Sequence, residues 1–212
     1  LTSCTGVNLE AVKLLFTAQN SAYAANAVEE EIVATSAIES IDFDRSSVRS
    51  IMLGNAPKDN QENRIYGLKL GFEFISDRHN HITEENIHKL YMMAIGNFLE
   101  GDDRLRDGEF YRHDDVYVVG GDGVVHRGIG SGKLPGYMKQ FVDFANADDG
   151  INDLLKAAML HFDIAYLHPY FDGNGRMARL LHMWFLIQKG YESTLFVPMS
   201  SYIEKSRGKY YD

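Results

Sequence analysis

Cysteine is almost absent from this chain, since Cys4 is the only one among its 212 residues. A single thiol excludes an internal disulfide framework and is typical of a reducing compartment, which predicts a cytoplasmic location. The sequence also lacks any apolar run of about eighteen residues that would span a membrane, and it shows no signal peptide. We therefore expect no membrane partner.

Positive charge is scarce as well: 21 Lys and Arg stand against 30 Asp and Glu, a formal net charge of −9. This balance argues against nucleic acid as a partner, because duplex binding depends on clustered cations, whereas a nucleotide needs only a local patch. With 45% apolar residues, the chain has material for one core, and we predict a single domain over 1–212. It begins at Leu1 without a Met and stops at Asp212 inside a predicted helix, as expected of a fragment.

What the sequence does contain is one twelve-residue stretch, His168 to Arg179 (HPYFDGNGRMAR), with a base, a carboxylate, two glycines and two arginines. Gly173 and Gly175 permit backbone conformations that direct successive N–H groups into one concavity at a helix N-terminus, where phosphate oxygens bind. Arg176 and Arg179 stand three positions apart on that helix, so both guanidiniums project from one face. The stretch is predicted to bind a triphosphate.

Two further side chains of this stretch supply chemistry. Asp172 is a hard oxygen ligand placed before the glycines, where it is suited to hold a Mg²⁺ that also takes phosphate oxygens and waters. His168 has a reference pKa near neutrality and is suited to take a proton from an attacking hydroxyl. The N–H groups and the cation would stabilise charge on the phosphate under attack.

The stretch resembles the signature of Fic-domain proteins, His-Pro-Phe-x-Asp/Glu-Gly-Asn-Gly-Arg-x-x-Arg, from which only Tyr170 departs by replacing one aromatic ring with another. The resemblance implies transfer of a nucleotide monophosphate, usually AMP from ATP, onto a protein hydroxyl. It implies His168 as general base and Asp172 as the Mg²⁺ ligand. It also implies an anion hole formed by Gly173, Asn174 and Gly175. Arg176 and Arg179 would be the clamps on the distal phosphates. A glycine-rich turn with two solvated arginines is the alternative.

A second motif precedes the signature. Thr35-Ser36-Ala37-Ile38-Glu39-Ser40 follows an alanine-rich helical stretch from Ala22 to Ala34 and resembles the inhibitory-helix motif Ser/Thr-x-x-x-Glu-Gly/Asn, departing from it at Ser40. The resemblance implies an inhibitory helix over about 22–41, in which Thr35 and Glu39 lie on one face and Glu39 pairs with Arg179, so that this arginine cannot hold the γ-phosphate of ATP. The alternative is an ordinary helix end with a solvated glutamate.

A β-hairpin is the one clear strand signal, formed by Val116-Tyr117-Val118-Val119 and Val124-Val125-His126 around a Gly-Gly-Asp-Gly turn. In Fic proteins a hairpin before the signature, called the flap, holds the target segment by adding it as a strand. Val116, Tyr117, Val118 and Val119 are therefore the candidate docking residues, because an exposed edge leaves N–H and C=O groups for an extended peptide. A surface hairpin without a partner is the alternative.

The remaining apolar spacing predicts helices. One helix is predicted to begin at Asn8, and a second covers 48–53 with Ser46 or Ser47 as its cap. A third starts near Glu62 and a fourth after Thr83. A fifth runs from about Asn152 to Tyr166, and its predicted buried face consists of Leu154, Leu155, Ala158, Phe162 and Ala165. The signature helix ends at Gly190, and a capping box, Ser201 to Glu204, opens the last helix. On that helix Tyr210 resembles an adenine-contacting residue of some Fic proteins, with packing against the core as the alternative.

Together these features predict an all-α Fic fold, a helical bundle with a small β-hairpin before the signature helix and a catalytic core over about 60–212. The implied function is a Mg²⁺-dependent, self-inhibited protein adenylyltransferase that moves AMP from ATP to a Tyr, Ser or Thr hydroxyl of a target protein or of the chain itself. A homodimer is left open. Two alternatives remain: transfer of phosphate or another phosphodiester-linked group to a protein, and a non-catalytic nucleotide-sensing module, against which His168 argues.

Overall fold

The computed structural model describes residues 19–41, 43–120 and 123–211, so the helix predicted to begin at Asn8 lies outside the described residues. The helices are α1 Gln19–Ile38, α2 Arg45–Met52, α3 Asn60–Ser76, α4 Glu84–Ala94, α5 Leu134–Asn146, α6 Asp153–Leu167, α7 Asn174–Gln188, α8 Met199–Lys205 and α9 Arg207–Tyr211. The strands are β1 Tyr117–Gly120 and β2 Gly123–Arg127. The predicted all-α fold with one hairpin is confirmed.

No helix in the described part of the chain combines the length and the apolar character needed to cross a bilayer.

The centre of the fold is α7, the helix that follows the signature turn. From Arg176 to Ile187 every residue except His182 is buried, as expected for a helix surrounded by protein on all sides. Trp184 shows how closely its neighbours approach: its ring lies edge-on to Phe74 of α3, and its Nε1 donates to the Asn80 carbonyl at 2.9 Å. The signature is therefore attached to a helix that is buried on nearly every side.

Helix α8 begins at Met199 with Pro198 as its N-cap, so the predicted capping box from Ser201 to Glu204 is wrong. Two other helix starts also differ from the sequence prediction. Helix α2 begins at Arg45 and is capped by Asp44, whose carboxylate accepts from the Ser46 N–H at 3.2 Å, so the predicted Ser46 or Ser47 cap is wrong. Helix α3 begins at Asn60, with Asp59 accepting from the Glu62 N–H at 2.8 Å. In both cases an aspartate one residue outside the helix satisfies a first-turn N–H.

The buried face predicted for α6 is also wrong. Leu154, Leu155 and Phe162 are 56%, 58% and 64% exposed. The stripe that packs inward consists of Lys156, Ala157, Leu160, Ile164 and Leu167. Lys156 conceals this stripe in the sequence, but its ammonium donates to the Ala147 carbonyl at 2.7 Å and to Asp149 at 3.1 Å, which satisfies the charge while its stem is buried.

Helix α5 is not among the helices that the sequence predicted. Its buried residues, Leu134, Met138, Phe141 and Ala145, recur at helical spacing. Pro135 stands in the first turn, where its missing N–H costs nothing. The pattern was readable, but Pro135 and Gly136 suggested a loop.

The predicted hairpin is confirmed. Strands β1 and β2 pair antiparallel, with Tyr117 opposite Arg127 and Val118 opposite His126. Val116 lies one residue before β1, and its carbonyl accepts from the Gly128 N–H at 3.1 Å. The hairpin thus stands directly between α4 and α5 in the chain and leads back to the region of the signature.

Candidate active site

The signature turn joins two packed helices through two residues with positive φ. His168 ends α6 with φ 53° and ψ 58°, and Gly173 precedes α7 with φ 84°. A Cβ at position 173 would also lie 2.7 Å from the Ile95 side chain, so glycine is required there for both conformation and space. The turn therefore has little freedom to adopt another shape.

Gly175 has a different role from the one predicted. It lies in the first turn of α7 and is not among the residues with positive φ. A Cβ there would collide with the Glu39 carboxylate and lie 3.3 Å from Nη1 of Arg179. Glycine at this position keeps open the space directly above the helix N-terminus.

That space is suited to bind an anion. The first N–H groups of α7 have no acceptor within the helix and carry the positive end of its dipole. Asn174 contributes its backbone to this site, because its side chain is engaged elsewhere: the amide donates to the Tyr170 carbonyl at 2.8 Å and accepts from the Tyr170 N–H at 2.9 Å. The Tyr170 ring is fully buried and stacks on Tyr91 with centroids 3.6 Å apart, as an aromatic anchor should.

Both predicted phosphate clamps are buried, with Arg176 at 5% and Arg179 at 2% exposed. Arg179 is held by the inhibitory motif: its Nε donates to Thr35 Oγ1 at 2.7 Å, and its Nη2 donates to the Thr35 carbonyl at 3.3 Å and to Glu39 Oε1 at 2.5 Å. The structure thus brings Thr35 and Glu39 together with Arg179 across about 140 residues of sequence. The Glu39 carboxylate thus occupies the space beside Gly175.

The backbone conformation after Glu39 explains why the motif has Gly or Asn at the position of Ser40. Helix α1 ends at Ile38, and Ser40 adopts φ 59°, a conformation that glycine or asparagine reaches at less cost. The Ile41 N–H returns to the Ser36 carbonyl at 2.9 Å, which closes the helix end. Serine is tolerated here, and the Glu39 side chain still reaches Arg179.

His168 is prepared to act as a base. Its Nδ1 lies 3.2 Å from the Ala165 carbonyl. Because a carbonyl only accepts, Nδ1 carries the proton and Nε2 keeps a lone pair. Burial lowers the pKa of His168 below its ordinary value; nearby His126 and Arg112 lower it further, while the Ala165 carbonyl and Glu39 oppose this. The ring is therefore neutral at neutral pH.

Asp172, the predicted metal ligand, already has two partners. Its Oδ1 accepts from the Gly173 N–H at 2.6 Å and its Oδ2 accepts from Arg176 at 2.9 Å. A carboxylate has about four lone-pair sites, and this one is nearly half exposed, so it retains capacity for a cation. Among the described residues no group of three or more His, Cys, Asp or Glu could hold a metal, so a Mg²⁺ here would depend on phosphate oxygens and water for its other ligands.

One cavity of about 410 Å³ brings several of these residues together, but Asp172, Gly173 and Arg176 are not in its lining. It is lined by Glu39, His168, Asn174, Gly175 and Arg179 from the signature and inhibitory motifs. Its other walls are Val118, Val125, His126, Phe162, Ala165, Tyr166 and Tyr210. Of the predicted docking residues only Val118 is in this lining; Tyr117 and Val119 are exposed on the hairpin, and Val116 precedes β1.

Several of these walls were missed by sequence analysis. Phe162 and Ala165 belong to the face of α6 that the sequence predicted to be buried in the core. This face points outward, and both side chains line the cavity. His126 lies on β2, with its Nε2 2.7 Å from the Tyr166 carbonyl. In the sequence, only the position of the hairpin before the signature indicated that His126 could lie near the site.

Tyr210 packs against the core as one interpretation expected, and the adenine contact stays a prediction. It lines the cavity, and its hydroxyl lies 2.5 Å from Nε2 of His161. Burial, and then the neighbouring His182, lowers the pKa of His161 to about 4, so this imidazole is neutral at physiological pH. The last helix is thus fixed to α6 by the same ring that faces the cavity.

Comparison with known proteins was made on sequence and on structure. The family model described as Fic/DOC family matches residues 81–186, which is half of the chain. The chain belongs to the Fic/DOC family. The match covers α4, the hairpin and the whole signature, and it leaves the inhibitory helix of this Fic/DOC chain outside.

A relative from Drosophila willistoni, named "Protein adenylyltransferase Fic", is 30% identical over 172 residues, covering 79% of this chain and 31% of the relative. The Fic/DOC chain thus spans about a third of the length of such curated relatives. A solved Fic family protein from Desulfovibrio desulfuricans matches with a TM-score of 0.74 and 18% identity, over 94% of this chain and 58% of that one. A Fic domain protein from Bacteroides thetaiotaomicron gives a TM-score of 0.70 and 24% identity, over 90% and 70%. These two likenesses show the fold.

Proposed function

We propose that this chain is a self-inhibited protein adenylyltransferase that moves AMP from ATP onto a hydroxyl of a target protein or of itself. The observation that carries the proposal is the Glu39 carboxylate, which sits over Gly175 and on Arg179, where a phosphate anion would bind. A site built for anions and filled by an internal one is the arrangement expected of a restrained nucleotide enzyme. The name of the Drosophila willistoni relative supports the same activity.

The chemistry follows from the positions of the residues. Nε2 of His168 takes the proton of the attacking hydroxyl, the hydroxyl oxygen bonds to the α-phosphorus of ATP, and the bond to the β-phosphate breaks to release pyrophosphate. The N–H groups at the start of α7 hold the charge on the phosphates, and Arg176 and Arg179 bind the distal ones once Glu39 has moved. Asp172 would hold a Mg²⁺, which neutralises phosphate charge. We also propose that residues 1–212 form a single domain, with the catalytic core over about 60–212.

The test is to incubate the purified chain and its Glu39→Gly variant with Mg²⁺ and ATP labelled on the α- or the γ-phosphate. Label from the α-position on protein supports AMP transfer. Label from the γ-position alone would show phosphate transfer instead. If neither label is transferred by either protein, the chain is a nucleotide-sensing module and the proposal is wrong.

Removal of Asp172 should separate the metal from the nucleotide. In Asp172→Ala we expect Mg²⁺ to lose most of its effect on ATP affinity, because the one carboxylate that links the cation to the protein is gone. Calorimetric titration with ATP, with and without Mg²⁺, measures this. Asp143→Ala is the matched control, since Asp143 pairs only with Lys139 on an exposed helix face among the described salt bridges. Equal Mg²⁺ dependence in both variants would contradict the role of Asp172.

The flap is proposed to bind the target by main-chain pairing. Along an antiparallel pair of strands, hydrogen-bonded and non-hydrogen-bonded residue pairs alternate. The Gly128 N–H donates to the Val116 carbonyl, so Val116 and Gly128 form a hydrogen-bonded pair. The Tyr117 N–H therefore points away from β2, and the Val118 N–H points toward it. Tyr117→Pro removes that outward donor, and Tyr117→Ala keeps it. We expect the proline variant to lose about tenfold in modification of an added target, the equivalent of one hydrogen bond, and the alanine variant to lose far less.

This comparison is made at equal ATP concentration, with circular dichroism to verify folding. Both variants lose the contact between the Tyr117 ring and Arg127, so that loss cancels. Equal rates for the two variants would show that the outward edge of β1 does not dock the target.

A further inference from the structure

Arg112, which precedes the hairpin, is bound in an unusual way. It is 2% exposed, and its guanidinium donates to three backbone carbonyls: from Nε to His168 at 2.7 Å, from Nη1 to Asp114 at 2.5 Å, and from Nη2 to Ile129. Its own N–H donates to the Pro169 carbonyl at 3.0 Å. Burial of a guanidinium is costly; here the three carbonyls satisfy its donors, and the nearby carboxylates of Asp114 and Asp115 partly offset its charge.

The three acceptors share a location at the junction of flap and signature. Asp114 lies just before the hairpin and Ile129 just after it, while His168 opens the signature. The junction is tight: a Cβ at Gly128 would lie 2.7 Å from Nη2 of Arg112 and 3.1 Å from Cβ of His168. Both ends of the flap therefore converge on the backbone of the proposed general base, with Arg112 between them.

That backbone needs support. A non-glycine residue at φ 53° is strained and keeps the conformation only when its surroundings hold it. The His168 N–H is held by the Ile164 carbonyl at 3.0 Å and the ring by Ala165, both within α6. Arg112 holds the carbonyl of His168 from outside the helix.

We propose that Arg112 is a positioning residue that fixes His168 in its left-handed conformation and couples the flap to it, an inference that rests on the proposed function. A target docked on the flap would then be held in a constant relation to Nε2 of His168. The guanidinium is suited to this task because its planar fork points donors in three directions at once, which the single ammonium of a lysine does not reproduce.

The test uses Arg112→Lys, which keeps the charge and loses the fork, in the Glu39→Gly background. We expect kcat for AMP transfer to fall by about tenfold or more, with KM for ATP within about twofold, because the anion site and both phosphate arginines are untouched. Arg64→Lys is the matched control, since Arg64 also donates to a backbone carbonyl, that of Phe98, away from the signature. Its kcat should stay near that of the parent.

A second measurement needs no activity. The ¹⁵N signals of the His168 ring should show one tautomer, protonated on Nδ1, in the parent and a mixture in Arg112→Lys. Reduced kcat together with a mixed ring signal supports the proposal. Unchanged ring signals and kcat would overturn it, as would a loss of thermal stability with unchanged kcat. If the parent transfers no AMP while the ring signals still change, the proposed function fails and the positioning of His168 by Arg112 stands.

Discussion

Glu39→Gly is expected to raise the rate of AMP transfer by up to about a hundredfold. In the parent, Glu39 and a γ-phosphate compete for one guanidinium, that of Arg179, and Glu39 is tethered beside it at high effective concentration. Removing the carboxylate opens the space above Gly175 and frees Arg179 to orient the triphosphate. A shift of about 2.7 kcal/mol toward this competent arrangement corresponds to a hundredfold larger active population.

Self-modification measured by mass spectrometry is the readout, because it requires no knowledge of the target. Ser40→Gly is the matched control: it changes the adjacent residue, relieves its positive φ and leaves the carboxylate in place. It should gain slightly in stability and not in activity. Glu39→Gly combined with Arg179→Ala should lose most of the gain, and equal adducts on the parent and Glu39→Gly would refute inhibition by this residue.

The activation should not require the inhibitory helix to leave the domain. Glu31 is 2% exposed on α1 and accepts from the N–H of Ser200 at 2.8 Å as well as from its hydroxyl, and Arg207 donates to the Ala37 carbonyl. The second half of helix α1 is thus attached to α8 and α9, and breaking one partner of such buried contacts is expensive. Because Glu39 follows the last helical residue, its replacement removes the carboxylate and leaves these contacts intact.

The chemistry of the site was readable from the sequence because it is local. From His168 to Arg179 the base, the carboxylate, the glycines and the arginines are adjacent in the chain, and their order already defines a helix N-terminus with an anion site. Contact between Glu39 and Arg179, residues that are far apart in the chain, was implied only by the resemblance to a family. No periodicity or composition could have supplied it.

The predictions that were wrong concern side chains whose surroundings are set by other helices. Helix α6 carries two apolar stripes of similar spacing, and only its packing against α7 decides that Leu160 is buried and Phe162 is exposed. The role of Gly175 likewise depends on the Glu39 side chain arriving from another helix. Arg112 was not singled out in the sequence, because its three carbonyl acceptors leave no trace there.

His168→Ala should reduce AMP transfer by about 10²–10⁴ while leaving ATP affinity nearly unchanged, the second large effect that we expect. The loss is the typical contribution of a general base, and affinity persists because His168 acts on the incoming hydroxyl and not on the phosphates. The assay is best made in the Glu39→Gly background, where the parent rate is high. Rapid-quench rates give the transfer step, and calorimetry gives the affinity.

The pH dependence of the same proteins adds an independent criterion. The neutral ring is the active form, so the rate should rise with pH through the pKa of His168 and reach its plateau by neutral pH, because burial lowers that pKa below its ordinary value of about 6.5. His126→Gln is the matched control, since its ring centroid lies 6.3 Å from that of His168. It should keep most of the activity and move the acidic limb toward higher pH, because a positive neighbour is lost. A His168→Ala protein that retains the parent rate and the same acidic limb would show that another group takes the proton.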